Sequence, residues 1–175
     1  MRLGARTGTL PHAAYIGLGA NLGDREATLR KALAHLASRE DIAIVLVSSF
    51  IETEPLGGPP GQPLYLNGAA ALRTSLSARG LLAALLAVEH ELGRRRTAGE
   101  RNAPRPVDLD LLLYDEQIVD EADLTVPHPR MHERLFVLQP LAEVAPLAVH
   151  ARLGKTVRQL LAEILVKPQM NANRR

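Results

Sequence analysis

The nine residues from Val107 to Asp115, VDLDLLLYD, constrain this chain more than any other segment. Side chains of a β-strand alternate between the two faces of a sheet. As a strand, this segment turns Val107, Leu109, Leu111 and Leu113 into a core. Asp108 and Asp110 then share the opposite face, about 7 Å apart at a rise of roughly 3.3 Å per residue. Two carboxylates held this way repel each other unless a cation sits between or beside them. Magnesium takes hard oxygen ligands, often one or two carboxylates plus substrate phosphates. The same alternation also describes a half-exposed strand with two solvated aspartates, and the segment alone does not choose.

The rest of the chain supplies partners for such a strand. Ala13 to Leu18 reads as a short buried strand, followed by the turn Gly19-Ala20-Asn21. Leu22, Leu29, Ala32, Leu33 and Leu36 recur at helical spacing, with Asp24 and Glu26 suited to a helix start. IAIVLVSSFIETE, from Ile42, is rich in β-branched residues and predicts one long strand. The loop LGGPPGQP, from Leu56, separates it from a returning strand at Tyr65. Ser77 is placed to cap a helix that Gly93 stops. A basic loop then leads into the aspartate strand, and a C-terminal helix is expected from Thr156 to Val166. Strand, helix, strand, strand, helix, strand is a split βαβ order, with helices on one sheet face and the other face open to ligands. We expect residues 1–12 to be an extension, 13–167 one domain, and 168–175 a tail.

Composition narrows the chemistry. There is no cysteine, which removes disulfides, thiolate metal sites and cysteine nucleophiles. A net charge of +2, from 21 basic and 19 acidic residues, gives no argument for nucleic acid or a membrane surface. Lysine occurs only at positions 31, 155 and 167, so nearly all positive charge is arginine, the planar donor suited to phosphate. No apolar run approaches the roughly 20 residues that span a bilayer, and the basic N-terminus lacks the apolar stretch of a secretory signal. A cytoplasmic location is the expectation. Two phosphate motifs fail on inspection. Gly17, Gly19 and Gly23 miss the dinucleotide spacing by one residue, and Gly154-Lys155-Thr156 lacks the earlier glycine of a phosphate loop, Val149 standing there. Polyphosphate handling would therefore fall to arginines and metal. Arg94, Arg95, Arg96, Arg101 and Arg105 precede the aspartate pair, where they form either a solvated basic loop or a clamp.

At Arg101-Asn102-Ala103-Pro104-Arg105-Pro106-Val107-Asp108-Leu109-Asp110 the chain resembles the 6-hydroxymethyl-7,8-dihydropterin pyrophosphokinase family of the folate pathway. The likeness extends to Tyr15 through Gly23, to Ser48-Ser49-Phe50 with Thr53, Pro55, Leu56 and Gly57, and to Tyr65-Leu66-Asn67. Leu124 through Pro129 and Phe136 through Leu141 resemble the family's last blocks. The resemblance implies a ferredoxin-like α+β sandwich with a mostly antiparallel sheet. It implies transfer of pyrophosphate from ATP to the pterin hydroxymethyl group, releasing AMP.

By the same resemblance, Asp108 and Asp110 would bind two magnesium ions, and Arg94 and Arg105 would neutralise the moving diphosphate. Arg96, Arg105, Thr125, His128 and Arg134 would contact the nucleotide. Tyr65 and Phe136 would sandwich the pterin, with Asn67, Thr53, Pro55 and Leu56 around its edge. ATP and the pterin are the implied partners of a monomer, with neither nucleic acid nor membrane. Many family members carry tryptophan where this chain has Asn102, which touches loop closure and not the metal ligands. His128 and His132, four apart, could alternatively form a metal pair on a helix, although separate roles are preferred. No general base is evident. A pterin aldolase would keep the ring pocket without the carboxylates and arginines. An RNA-binding sheet would need exposed aromatic blocks that are absent here.

Overall fold

A computed structural model describes residues 9–56, 60–94 and 104–172, with side chains through Val166. In chain order the elements are β1 (His12–Ala20), α1 (Arg25–Ala37), β2 (Ile42–Val47), β3 (Ile51–Thr53), β4 (Tyr65–Thr74), α2 (Ala78–Glu91) and β5 (Asp108–Tyr114). They build one antiparallel sheet in the order β2-β4-β1-β5, with β3 continuing along β4. This is the ferredoxin-like α+β arrangement that the element order implies. A second segment follows: the hairpin β6 (Val119–Glu121) and β7 (Leu124–Val126), a 3-10 turn at Met131–Glu133, and α3 (Leu135–Val144). The hairpin β8 (Val149–His150) and β9 (Lys155–Thr156) then leads into α4 (Val157–Ala172).

The helices begin where side chains satisfy free backbone donors. Asp24 Oδ1 accepts the Ala27 N–H at 3.0 Å, and Ser77 Oγ accepts the Gly80 N–H at 3.1 Å. Past the end of α2, Gly93 takes φ +89°, a conformation glycine adopts without strain. One sheet face buries Ile16, Leu72, Leu109 and Leu111 against Leu29 and Leu36 of α1 and Leu81 and Leu85 of α2.

Several expectations need correction. The opposite face is only half open, because α3 and α4 cover part of it and join Ala69 and Leu112 in a second core with Met131, Leu138, Leu141 and Leu160. The expected long strand is two, β2 and β3. Between them Ser48 stays paired to β4 through its N–H and hydroxyl, while the Ser49 N–H turns to the Glu143 carboxylate of α3 at 2.8 Å. Alternation along β5 holds through Leu111 and then slips, because the register with β1 shifts between Tyr15 and Ile16. Leu113 accordingly packs in the second core rather than the first. Leu22 lies before α1 and is exposed. His12 already belongs to β1, its Nδ1 lying 2.7 Å from Asp115 Oδ2. α4 runs on to Ala172.

Candidate active site

Strand register assembles the site on the half-open face. Across the sheet, Asn67, Gly19 and Asp108 form one row, and Ala69, Gly17 and Asp110 the next. The central position of both rows is glycine, so the floor between them is bare backbone. A Cβ on Gly19 would lie 3.4 Å from Asn67 Oδ1, and one on Gly17 would lie 3.8 Å from the Asp110 Cβ. Thr53 pairs with Tyr65 at the near end. A cavity of about 290 Å³ opens above this floor.

The cavity brings together Asp108, Asp110, Arg105 and Arg134 with Thr53, Leu56, Tyr65, Asn67 and Phe136. Pro55, Thr125 and His128 do not line it, and Arg94 reaches it only through Asp108. Arg95, Arg96, Arg101 and Asn102 lie outside the described residues. Asn67 is not an unpartnered amide: its Nδ2 donates to Thr53 Oγ1 at 2.6 Å. His132 sits in the 3-10 turn and packs edge-on against His150, ring centroids 5.6 Å apart, so it forms no helical pair with His128.

Asp108 is bracketed by guanidinium groups. Arg94 Nη1 donates to its Oδ1, and Arg105 Nη1 donates to its Oδ2 at 3.0 Å. The same Arg94 nitrogen donates to Glu89 Oε1 at 2.5 Å, and Glu89 also accepts the Leu109 N–H at 2.7 Å. Burial works against the charge on Arg94, yet Asp108 and Glu89 outweigh it and hold the group firmly protonated. Asp110 is placed differently. Burial first, then Asp108 and Glu89, push its carboxyl up to about 7, with Arg134 and Arg94 pulling weakly the other way. His128 is held down to about 4 by burial and by Arg134, so its ring is neutral at pH 7. Its Nδ1 faces the Arg130 N–H at 3.2 Å, which leaves the proton on Nε2.

The donor set fits magnesium brought in with a nucleotide. Two carboxylates face one cavity, and the deeper one ionises with difficulty until a cation joins it. No cluster of three or more histidine, cysteine or acidic side chains occurs among the described residues, so the remaining ligands would come from phosphate and water.

Sequence reasoning missed three residues. Glu89 is an acid in the last turn of a helix, where the macrodipole disfavours it, and that is a readable signal. Asn21, 1% exposed, holds the Arg105 peptide from both sides: its Oδ1 accepts the Arg105 N–H at 2.8 Å and its own N–H donates to the Arg105 carbonyl at 3.2 Å. Its Nδ2 donates to Gln62 Oε1 at 3.3 Å, tying in the loop before Tyr65. Arg130 lines the cavity beside Arg134.

Residues 15–146 match the family model of 7,8-dihydro-6-hydroxymethylpterin-pyrophosphokinase (HPPK). The chain belongs to the HPPK family. A 2-amino-4-hydroxy-6-hydroxymethyldihydropteridine pyrophosphokinase of Synechocystis is 44% identical over 153 residues, covering 87% of this chain and 76% of that one. The enzyme of the same name from Bacillus subtilis is 47% identical over 131 residues, covering 75% and 77%. Among solved structures, wild-type Plasmodium falciparum HPPK-DHPS superposes with a TM-score of 0.68 at 14% identity. That alignment covers 91% of this chain and 46% of the longer one, and it speaks for the fold alone. No described helix is long and apolar enough to cross a membrane.

Proposed function

We propose that this chain performs its family's reaction at the cavity described above, with Asp108 and Asp110 as the magnesium ligands. Pyrophosphate moves from ATP to 6-hydroxymethyl-7,8-dihydropterin, giving AMP and the pterin diphosphate, a step of folate biosynthesis. The observation that carries the placement is the meeting of two kinds of side chain in one cavity. One set is two carboxylates and three guanidinium groups, and the other is two aromatic rings and an amide. The first suits a metal-bound triphosphate, and the second suits a flat heterocycle with donors and acceptors on its edge.

Magnesium, when bound, supplies positive charge that offsets the triphosphate and the two aspartates. Tyr65 and Phe136 orient the pterin by stacking, worth on the order of 1 kcal/mol each beyond the area they bury. Asn67, already fixed to Thr53, keeps its Oδ1 for the pterin edge. Arg94 and Arg105, resting on Asp108 before substrate arrives, turn to the phosphates and neutralise charge as the diphosphate passes to the hydroxymethyl oxygen. Positioning and charge neutralisation do most of the work, as in phosphoryl transfer generally. Arg96, Thr125 and Arg134 are assigned to the nucleotide, with the neutral His128 donating from Nε2. Pro55 and Leu56 border the pterin. The enzyme works as a cytoplasmic monomer with two magnesium ions, its domain beginning with β1 at His12 and ending in α4.

Incubation with ATP, magnesium and the pterin, with AMP release measured, tests the reading. Release that requires the pterin supports it. Pterin-independent release, or glycolaldehyde in place of AMP, overturns it.

A further inference from the structure

Among the described residues three guanidinium groups line the cavity, and they are not equivalent. Arg105 is engaged with Asp108. Arg134 lies over the Phe136 ring, 5.8 Å from its centroid, and its Nε is buried without a hydrogen-bond partner. Arg130 stands at the same wall with its side chain 59% exposed. Its side chain's one ion pair among the described residues is a 4.0 Å approach to Glu133, at the limit of an ionic contact. Burial and the neighbouring Arg130 together lower the pKa of Arg134, so the two cations lie close enough to repel. Like charges facing one cavity form a binding place for an anion. Asp108 and Asp110 line the same cavity and act on Arg134, so an anion drawn to metal at those aspartates would meet the two arginines.

We propose that Arg130 is a binding residue for the diphosphate group that this enzyme transfers. The inference rests on the pyrophosphokinase reading of the cavity. The diphosphate begins on ATP and ends on the pterin, whereas AMP never carries it. Arg130 therefore grips substrate and product alike and releases the nucleotide half. Arg130 stands just before the 3-10 turn that precedes α3, and with Arg105 and Arg134 it lines the cavity in which the moving group would be held.

Titration of wild type, Arg130→Gln and Arg130→Lys with magnesium tests this, using a methylene analogue of ATP, the pterin diphosphate and AMP. Loss of one exposed charged contact predicts about tenfold weaker binding of the analogue and of the pterin diphosphate by Arg130→Gln. Binding of AMP is expected to stay within about twofold. The KM for ATP rises by the same factor while kcat holds, and affinity falls less steeply with added salt. Lysine recovers part of the loss. Equal affinities in wild type and Arg130→Gln, at an unchanged melting temperature, overturn the proposal. An equal loss for AMP also overturns it, because it would place Arg130 on the nucleoside half. Failure of the unaltered protein to bind the ATP analogue strikes the functional reading itself, and is told apart because it needs no substitution.

Discussion

The two faces of the sheet are built from the same strands and are opposites in content. On the covered face, Ile16 and Leu18 of β1, Ala70 and Leu72 of β4, and Leu109 and Leu111 of β5 are all buried under α1 and α2. On the other face, the intervening residues are Gly17 and Gly19, Asn67, and Asp108 and Asp110. Each large apolar side chain buried on the first face contributes about 1.5–3 kcal/mol relative to exposure. The second face gives up that contribution and holds an acid pushed up to about 7. Alternate residues of one strand thus divide the labour, with one parity holding the fold and the other holding a destabilised site.

Substitutions on the two faces should separate activity from stability. Asp108→Ala and Asp110→Ala are expected to lower AMP formation by roughly a thousandfold, as losses of major electrostatic groups do. Melting of Asp110→Ala should be no lower than that of wild type without metal. Near-normal turnover in either variant would remove the metal role. Leu85→Ala, on the covered face, should destabilise by about 2–5 kcal/mol while turnover per folded molecule stays unchanged. A loss of turnover without a loss of stability would break the division.

The pH dependence of stability sharpens the same contrast. In the unfolded chain Asp110 releases its proton near 3.8, and in the native chain only near 7. Between these values the native state binds more protons, so metal-free stability falls as pH rises from about 4 to about 7 and then levels. Magnesium with an ATP analogue should flatten that fall, and Asp110→Asn should abolish it. Melting curves that do not change across this window would contradict the burial of Asp110. The smallest effect is expected at the pterin wall. Phe136→Leu keeps an apolar side chain and loses the stacked ring, so pterin affinity should drop by about five- to tenfold with ATP affinity unchanged.

Much of this arrangement could be read before any coordinates. The element order and the parity of Asp108 and Asp110 follow from periodicity, and Ser77 and Gly93 mark the ends of α2 as capping chemistry says they should. What escaped depended on distant partners. The break at Ser48 and Ser49 follows from Ala69 and Glu143, which are far away in sequence. The slip that sends Leu113 to the second core comes from an irregular pairing of β1 with β5. Periodicity along one strand carries no information about its neighbour. The covering of the second face by α3 was likewise invisible, since an apolar helix does not announce which surface it will meet. Glu89 offered a local clue, but Asn21 and Arg130 did not: their roles come from the Arg105 peptide and from Arg134.

Asn21 has a consequence for how such an enzyme could be disabled. A small molecule wedged between its amide and Gln62 would touch neither bound substrate, yet it would pull on the peptide that carries Arg105. The seam between those two side chains is a remote handle on Arg105, apart from the cavity that ATP and the pterin would share.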